Sequence, residues 1–216
     1  MAEDSSSISL CVKRAEDESS ATILESAATA AIVLHVMKVS VFAGDIAEAP
    51  AEAICTSTNP RLSLMMGTGG SVREKGGFAI LRECEAILEA ETARSGRGRM
   101  PVGSVWVTGA GALPYQAVIH CVASDVRARS SDAVVRSCVT QSVTAAIQRG
   151  IKSVAMPVFA SGHAHFPFDS AVASIAEALA SAPEGLAEVI VVVRDEAAAE
   201  RAVKILRRQF TEAEIR

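Results

Sequence analysis

Short apolar runs punctuate this chain at intervals that helical segments fill, and that alternation limits the fold more than any single motif. The runs are KVSVF, AEAICTS, GSVWVTGA, QAVIHCVAS, KSVAMPVFA and AEVIVVVRD, preceded by the strand-length TILE and AAIVLHV. Most are too continuously apolar to present one wet and one dry face, so they read as strands buried on both sides. Between them, Phe78, Leu81, Cys84 and Leu88 recur at helical spacing. A second helix opens at Asp132, carries Val135, Val139 and Ala146, and stops at Gly150. A third is capped by Asp169 and lines up Val172, Ile175, Ala176 and Leu179, and a fourth from Glu196 groups Val203, Leu206 and Phe210. Strand and helix in alternation predict an α/β fold, a three-layer α/β/α sandwich around a mixed, mostly parallel central sheet.

With 216 residues, 50% of them hydrophobic, the chain can bury one large core. Residues 22–216 are therefore expected to form a single domain. Residues 1–21, with EDSSS and RAEDESS, read as a polar tail, disordered or a poorly paired edge. The net charge of -4 supplies no basic field, and one Trp and one Tyr offer little stacking surface, so nucleic acid is disfavoured as a partner. Five cysteines without CxxC pairing suit a reducing, cytoplasmic setting. The acidic, serine-rich start lacks the pattern of a secretory leader, and no run reaches the roughly 18 apolar residues of a spanning helix, so no membrane role is expected.

Sheets of this kind bind ligands beyond the carboxyl ends of their strands. Four unusual stretches fall at such ends: AGDIAEAP at 43–50, TSTNPRLSLMMGTGG at 56–70, VTGAGALP at 107–114 and MPVFASGHAHFP at 156–167. Gly67, Gly69 and Gly70 precede a helical segment, where bare backbone N–H groups and the helix dipole can face a phosphate; a flexible connection is the plainer reading. GTGGSV matches neither GxGxxG nor a P-loop. The small residues around Gly162 offer a second set of donors, and two such loops on neighbouring strands could grip a diphosphate. Asp45 can accept from an exocyclic amine or serve as a turn cap. His163 and His165 lack a third partner, so no metal is expected. Ser161 beside His163 has no orienting acid, and His35, His120 and Cys84 read as core. No nucleophile and no cofactor emerges.

These motifs together resemble the macrodomain family, over about residues 37–210. The family opens with GDI, as here at 44–46. Its D-A-I-V-N-A-A-N-P-R-L resembles EAICTSTNPRL at 52–62, and its glycine-rich G-G-G-V-D-G-A-I resembles MGTGGSV at 66–72. PVGSVWVTGAGALP, VIH at 118–120 and MPVFASGHAHFP match three further patterns of the family.

The resemblance implies that the partner is ADP-ribose or an ADP-ribosylated protein. It implies ligand contacts along Asp45 and Ile46, along Asn59, Gly67, Thr68, Gly69, Gly70, Ser71 and Val72, and along Phe159, Ala160, Ser161, Gly162, His163, Ala164, His165 and Phe166. Asp45 would meet the adenine amine, the two glycine-bearing stretches the diphosphate, and Asn59 and Phe166 the distal ribose. Arg194 stands where many members stack an aromatic on adenine, and a guanidinium can stack there too. In the hydrolytic branch, the asparagine matching Asn59 and an aspartate ten residues on position substrate and water. Here that aspartate is replaced by Gly69, and Thr56 replaces the first asparagine of N-A-A-N. The stretch MGTGGSVREKGG is closer to binding-only members, so the expected function is a reader of ADP-ribose. Hydrolysis of ADP-ribosyl or O-acetyl-ADP-ribose linkages, with Asn59 as the catalytic candidate, is the alternative.

Overall fold

The computed structural model describes residues 37–216. The polar tail, TILE, AAIVLHV and His35 lie outside the described residues.

Seven strands form one sheet: β1 (Lys38–Ala43), β2 (Ala53–Thr58), β3 (Val105–Thr108), β4 (Ala117–Val122), β5 (Ser153–Pro157), β6 (Glu188–Val193) and β7 (Glu214–Ile215). Their spatial order is β3-β4-β2-β5-β6-β1-β7, parallel throughout except for β3 against β4. The helices are α1 (Gly67–Gly76), α2 (Phe78–Ser95), α3 (Asp132–Ile147), α4 (Phe168–Ala180) and α5 (Glu196–Leu206), with a 3-10 turn at Ile46–Glu48. Val72 of α1 and Ile80 and Cys84 of α2 join one apolar cluster with Ile54, Val118 and Ile190 of the sheet. Val135 and Val139 of α3, Val172 and Ile175 of α4 and Leu206 of α5 join another with Cys55, Ile119 and Val191. Successive strand residues point to opposite faces, so each central strand feeds both layers and has no polar face. This is the predicted three-layer sandwich.

Several sequence expectations are corrected. The glycines of MGTGGSV are not a loop before a helix. They form the first turn of α1, a helix that propensity argues against, since glycine costs about 1 kcal/mol relative to alanine. Close packing favours it: a Cβ at Gly69 would lie 3.1 Å from Leu64 Cα and 3.2 Å from its Cδ2, so any side chain there would push the chain leaving β2 away by a few tenths of an ångström. β3 is an antiparallel edge strand with Val105, Trp106 and Val107 half-buried, not a strand covered on both faces. In consequence VTGAGALP lies at the sheet edge opposite the other three unusual stretches. Asp169 does not cap α4; Pro167 holds that position, and Asp169 bonds Arg201 at 2.6 Å. α3 ends at Ile147 and turns through Gly150, and Phe210 lies past the end of α5 but still packs on the core.

Candidate functional site

After β2 the chain travels toward the β4 and β3 edge, and after β5 it travels the other way, to β6. A crevice opens between the carboxyl ends of two parallel strands where the connections diverge in this manner. α1 follows β2 at this divide, and the loop Val158–Pro167 follows β5.

The first turn of α1 leaves the N–H groups of Gly67, Thr68 and Gly69 without acceptors among the described residues, whereas Gly70 N–H already bonds Met66 O at 3.1 Å. The β5 loop is held by its own bonds: Ser161 N–H and Oγ both donate to Val158 O, His165 N–H to Gly162 O and Phe166 N–H to Ala160 O. Gly162, His163 and Ala164 N–H again find no acceptor among the described residues. Ala160 (φ 60°) and His165 (φ 49°) in this loop, with Leu62 (φ 52°) after β2 and Ala128 (φ 55°) after β4, are the non-glycine left-handed residues of the described chain. All sit in loops at this one edge of the sheet, where such strain concentrates around ligand sites.

Ser57 joins the two halves, a role the sequence reading missed. Its N–H donates to Thr68 Oγ1 at 3.3 Å, and its Oγ accepts from Ala160 N–H at 3.4 Å. The carboxyl end of β2 thereby sets the spacing between two groups of vacant donors. An isolated serine in TSTNP carries no sequence signal for this; only the adjacency of β2 and β5 reveals it.

A third stretch of the crevice edge, AGDIAEAP, follows β1. Asp45 caps the 3-10 turn, its Oδ1 accepting from Ala47 N–H at 2.9 Å. Ser71 Oγ sits astride both carboxylate oxygens at 2.5 and 2.6 Å, and Lys75 Nζ reaches Oδ2 at 2.9 Å while also bonding Glu48 at 2.6 Å. Burial alone would raise the Asp45 carboxyl. The hydrogen bonds from Ser71 and Ala47 and the Lys75 charge outweigh it, and the group lies below the usual carboxylate range. The Glu48 and Asp45 contacts push the Lys75 ammonium up in turn. Lys75 was likewise missed as a partner of Asp45. Ser71 and Lys75 stand four residues apart and share a face only if GTGGSVREKG is helical.

Other expected contacts are placed as follows. Ile46, Val72 and Phe159 are buried in the two apolar clusters and could offer a ligand only backbone. Phe166 is half-buried against the core, and Arg194 is exposed immediately after β6. Asn59 Oδ1 accepts from Arg61 N–H at 2.9 Å, which directs its amide NH2 away from that turn. Beyond it a separate hollow of about 240 Å3 is lined by Pro60, Arg97, Arg99, Met100, Asp125 and Val126. His120 is a core histidine, 2.8 Å from Thr108 Oγ1, with burial lowering its pKa to about 4. No group of three or more His, Cys, Asp or Glu among the described residues could hold a metal.

Comparison with known proteins agrees with this fold. The family model described as Macro domain matches residues 55–175. A Pantoea vagans protein named O-acetyl-ADP-ribose deacetylase 2 is 36% identical over 139 residues, 63% of this chain and 77% of that one. Among solved structures, a mutant Oceanobacillus iheyensis macrodomain with ADPR superposes with a TM-score of 0.65 at 20% identity, covering 79% of this chain and 90% of that one. A Trypanosoma brucei macrodomain in complex with ADP-ribose gives 0.63 at 17% identity, covering 79% and 68%. The order and spacing of GDI, TNPRL, GTGG and ASGHAHFP, the switch-point crevice they line and the family match over residues 55–175 agree: this chain belongs to the macro domain family.

Proposed function

We propose that the crevice binds ADP-ribose, free or attached to protein, and that the chain acts as a reader of that group. One observation carries the reading. Two triplets of backbone N–H groups, at the start of α1 and in the β5 loop, stand vacant on adjacent strand ends and are tied together through Ser57. A diphosphate needs donors from two sides with no side chain between, and a helix start supplies a favourable dipole as well. The macrodomains with which this fold superposes include ones solved with ADPR and with ADP-ribose, which supports the choice of nucleotide. The free, buried thiols of Cys55, Cys84, Cys121 and Cys138 support a reducing, cytoplasmic setting. Calorimetric titration with ADP-ribose tests the proposal: one-to-one binding is expected, and no heat at millimolar ligand would refute it.

A second reading, hydrolysis of O-acetyl-ADP-ribose or of ADP-ribosyl esters, is favoured by the names of relatives such as the Pantoea deacetylase. Asn59 would orient the distal ribose in either case. Hydrolysis also needs a group that positions or activates water, worth about 10²–10⁴ in rate. Leu64 packs so closely on the backbone of Gly69 that no carboxylate fits there without displacing it. Reading without rapid turnover is the outcome this site supports. An assay of ADP-ribose release from a glutamate-modified protein, run beside a competent hydrolase, separates the two.

A further inference from the structure

The crevice lies on the β5 side of β2, and the hollow of about 240 Å3 lies on the β4 side, at the same carboxyl edge of the sheet. Its lining comes from Pro60 after β2, from residues 97–102 after α2, and from Asp125 and Val126 after β4. Gly96 and Gly98, at φ 69° and 60°, turn the chain back from the end of α2, and Met100 N–H then donates to Pro60 O at 2.7 Å. The hollow therefore begins one residue past Asn59. Arg97 and Arg99 line it and are exposed, and Arg61 and Arg127, also exposed, adjoin it next to Pro60 and Val126. Among the described residues none of these four guanidinium groups has a carboxylate within ion-pair distance, whereas the nearby Arg94 and Arg129 are paired with Glu91 and Asp125. Asp125, the acid in the lining, accepts from Arg127 and Arg129 N–H at 2.8 Å each and from Arg129 Nε at 2.9 Å, so its charge is offset within its own turn. In a chain of net charge -4, this is a local concentration of unpaired cations. Between the arginines the wall is apolar, with Val102 40% and Val126 60% exposed.

We propose that this hollow docks an acidic stretch of the polypeptide to which ADP-ribose is attached. The inference rests on the ADP-ribose reading of the crevice and adds to it the kind of protein segment that presents the nucleotide. A guanidinium fork matches a carboxylate through two parallel hydrogen bonds. Phosphate fits the fork as well, but no aromatic side chain lines the hollow to stack a base, and the overall negative charge opposes a long polyanion. A short peptide whose Asp and Glu carboxylates stand on aliphatic stems meets both the arginines and the apolar wall. Exposed ion pairs are individually weak, yet here they add to an affinity that the crevice already supplies to the same ligand.

The test is calorimetric titration of the full chain with free ADP-ribose and with two synthetic peptides that carry ADP-ribose in a non-hydrolysable linkage. One peptide flanks the modified residue with Asp and Glu, the other with Asn and Gln. The acidic peptide is expected to bind about tenfold more tightly than the neutral one, a difference of roughly 1.4 kcal/mol. The gap should narrow at about 0.5 M salt, where exposed ion pairs are screened. The double variant Arg97→Glu, Arg99→Glu should lose or reverse the preference while binding free ADP-ribose as before, and the double change to Lys should keep most of it. Both side chains are exposed, so neither variant disturbs the core. Equal binding of the two peptides by the unmodified protein overturns the proposal, as does a preference that survives the change to Glu. A single-stranded oligonucleotide that binds the unmodified protein, fails to bind the Glu variant and removes the advantage of the acidic peptide would assign the hollow to phosphate instead. If free ADP-ribose gives no heat, the ADP-ribose reading itself has failed and the proposal falls with it, a result distinct from nucleotide binding with no difference between the peptides.

Discussion

At the β2 and β5 ends of the crevice, backbone donors stand vacant in two groups of three, whereas at the β1 end the Asp45 carboxylate already has three donors from within the protein, Ala47 N–H, Ser71 O–H and Lys75 Nζ. The first arrangement is built from glycine and other small residues, with little side chain to move aside. The second is built from the Ser71 hydroxyl and from Lys75, which is ion-paired with both Asp45 and Glu48. Vacant donors in fixed backbone bind an anion with little reorganisation, and an acceptor already shared with internal donors gains less from a further one. On the proposed ADP-ribose reading, this difference predicts that most of the affinity originates at the diphosphate and less at the base.

The largest effect is expected from the diphosphate side. A Cβ built at Gly162 meets nothing within 4 Å, so Gly162→Glu should fold normally while placing a carboxylate among the vacant donors. Like charges in contact cost several kcal/mol, so the affinity for ADP-ribose should fall at least about a hundredfold. Gly162→Ala should bind almost as the unmodified protein does, and an equal loss in both variants would point to backbone distortion in place of charge.

Gly69→Asp probes the same wall by packing. With Leu64 Cα only 3.1 Å from the new Cβ, the substitution should lower stability by about 1–3 kcal/mol, read as a drop in melting temperature, without conferring hydrolysis. A stable Gly69→Asp variant that releases ADP-ribose from glutamate-modified protein would show that Leu64 gives way.

Ser57→Ala removes the acceptor for Ala160 N–H and should weaken ADP-ribose by about 0.5–1.5 kcal/mol through a looser β5 loop. ADP should suffer equally, because the loss lies at the phosphates. The smallest effect belongs to the base end: Arg194→Ala should cost about 1 kcal/mol or less, with Arg194→Phe retaining most of it by stacking. A loss of several kcal/mol at Arg194 would reverse the comparison between the two ends.

The layered fold was legible because the central strands are apolar on both faces, which few other architectures tolerate; AVIHCV and EVIVVV announce themselves. Helix α1 was not legible. Its glycines argue for a loop, and only the approach of Leu64 makes bare backbone the residue of choice there. That one misreading concealed the Ser71 and Lys75 face and with it the state of Asp45, which in sequence reads equally well as a cap or as an amine acceptor. Asp45 is a cap in the structure and is also held by Ser71 and Lys75. Ser57 was hidden for a different reason: its two bonds span 11 and 103 residues, and separations of that kind carry no local pattern.

Backbone amide resonances test the central claim most directly. In a ¹⁵N-labelled protein titrated with ADP-ribose, the account predicts the largest shifts at Gly67, Thr68, Gly69, Gly162, His163 and Ala164, with Asp45 and Lys75 moving less. Shifts concentrated instead around Arg97, Arg99 and Val126, with those six amides unmoved, would contradict it.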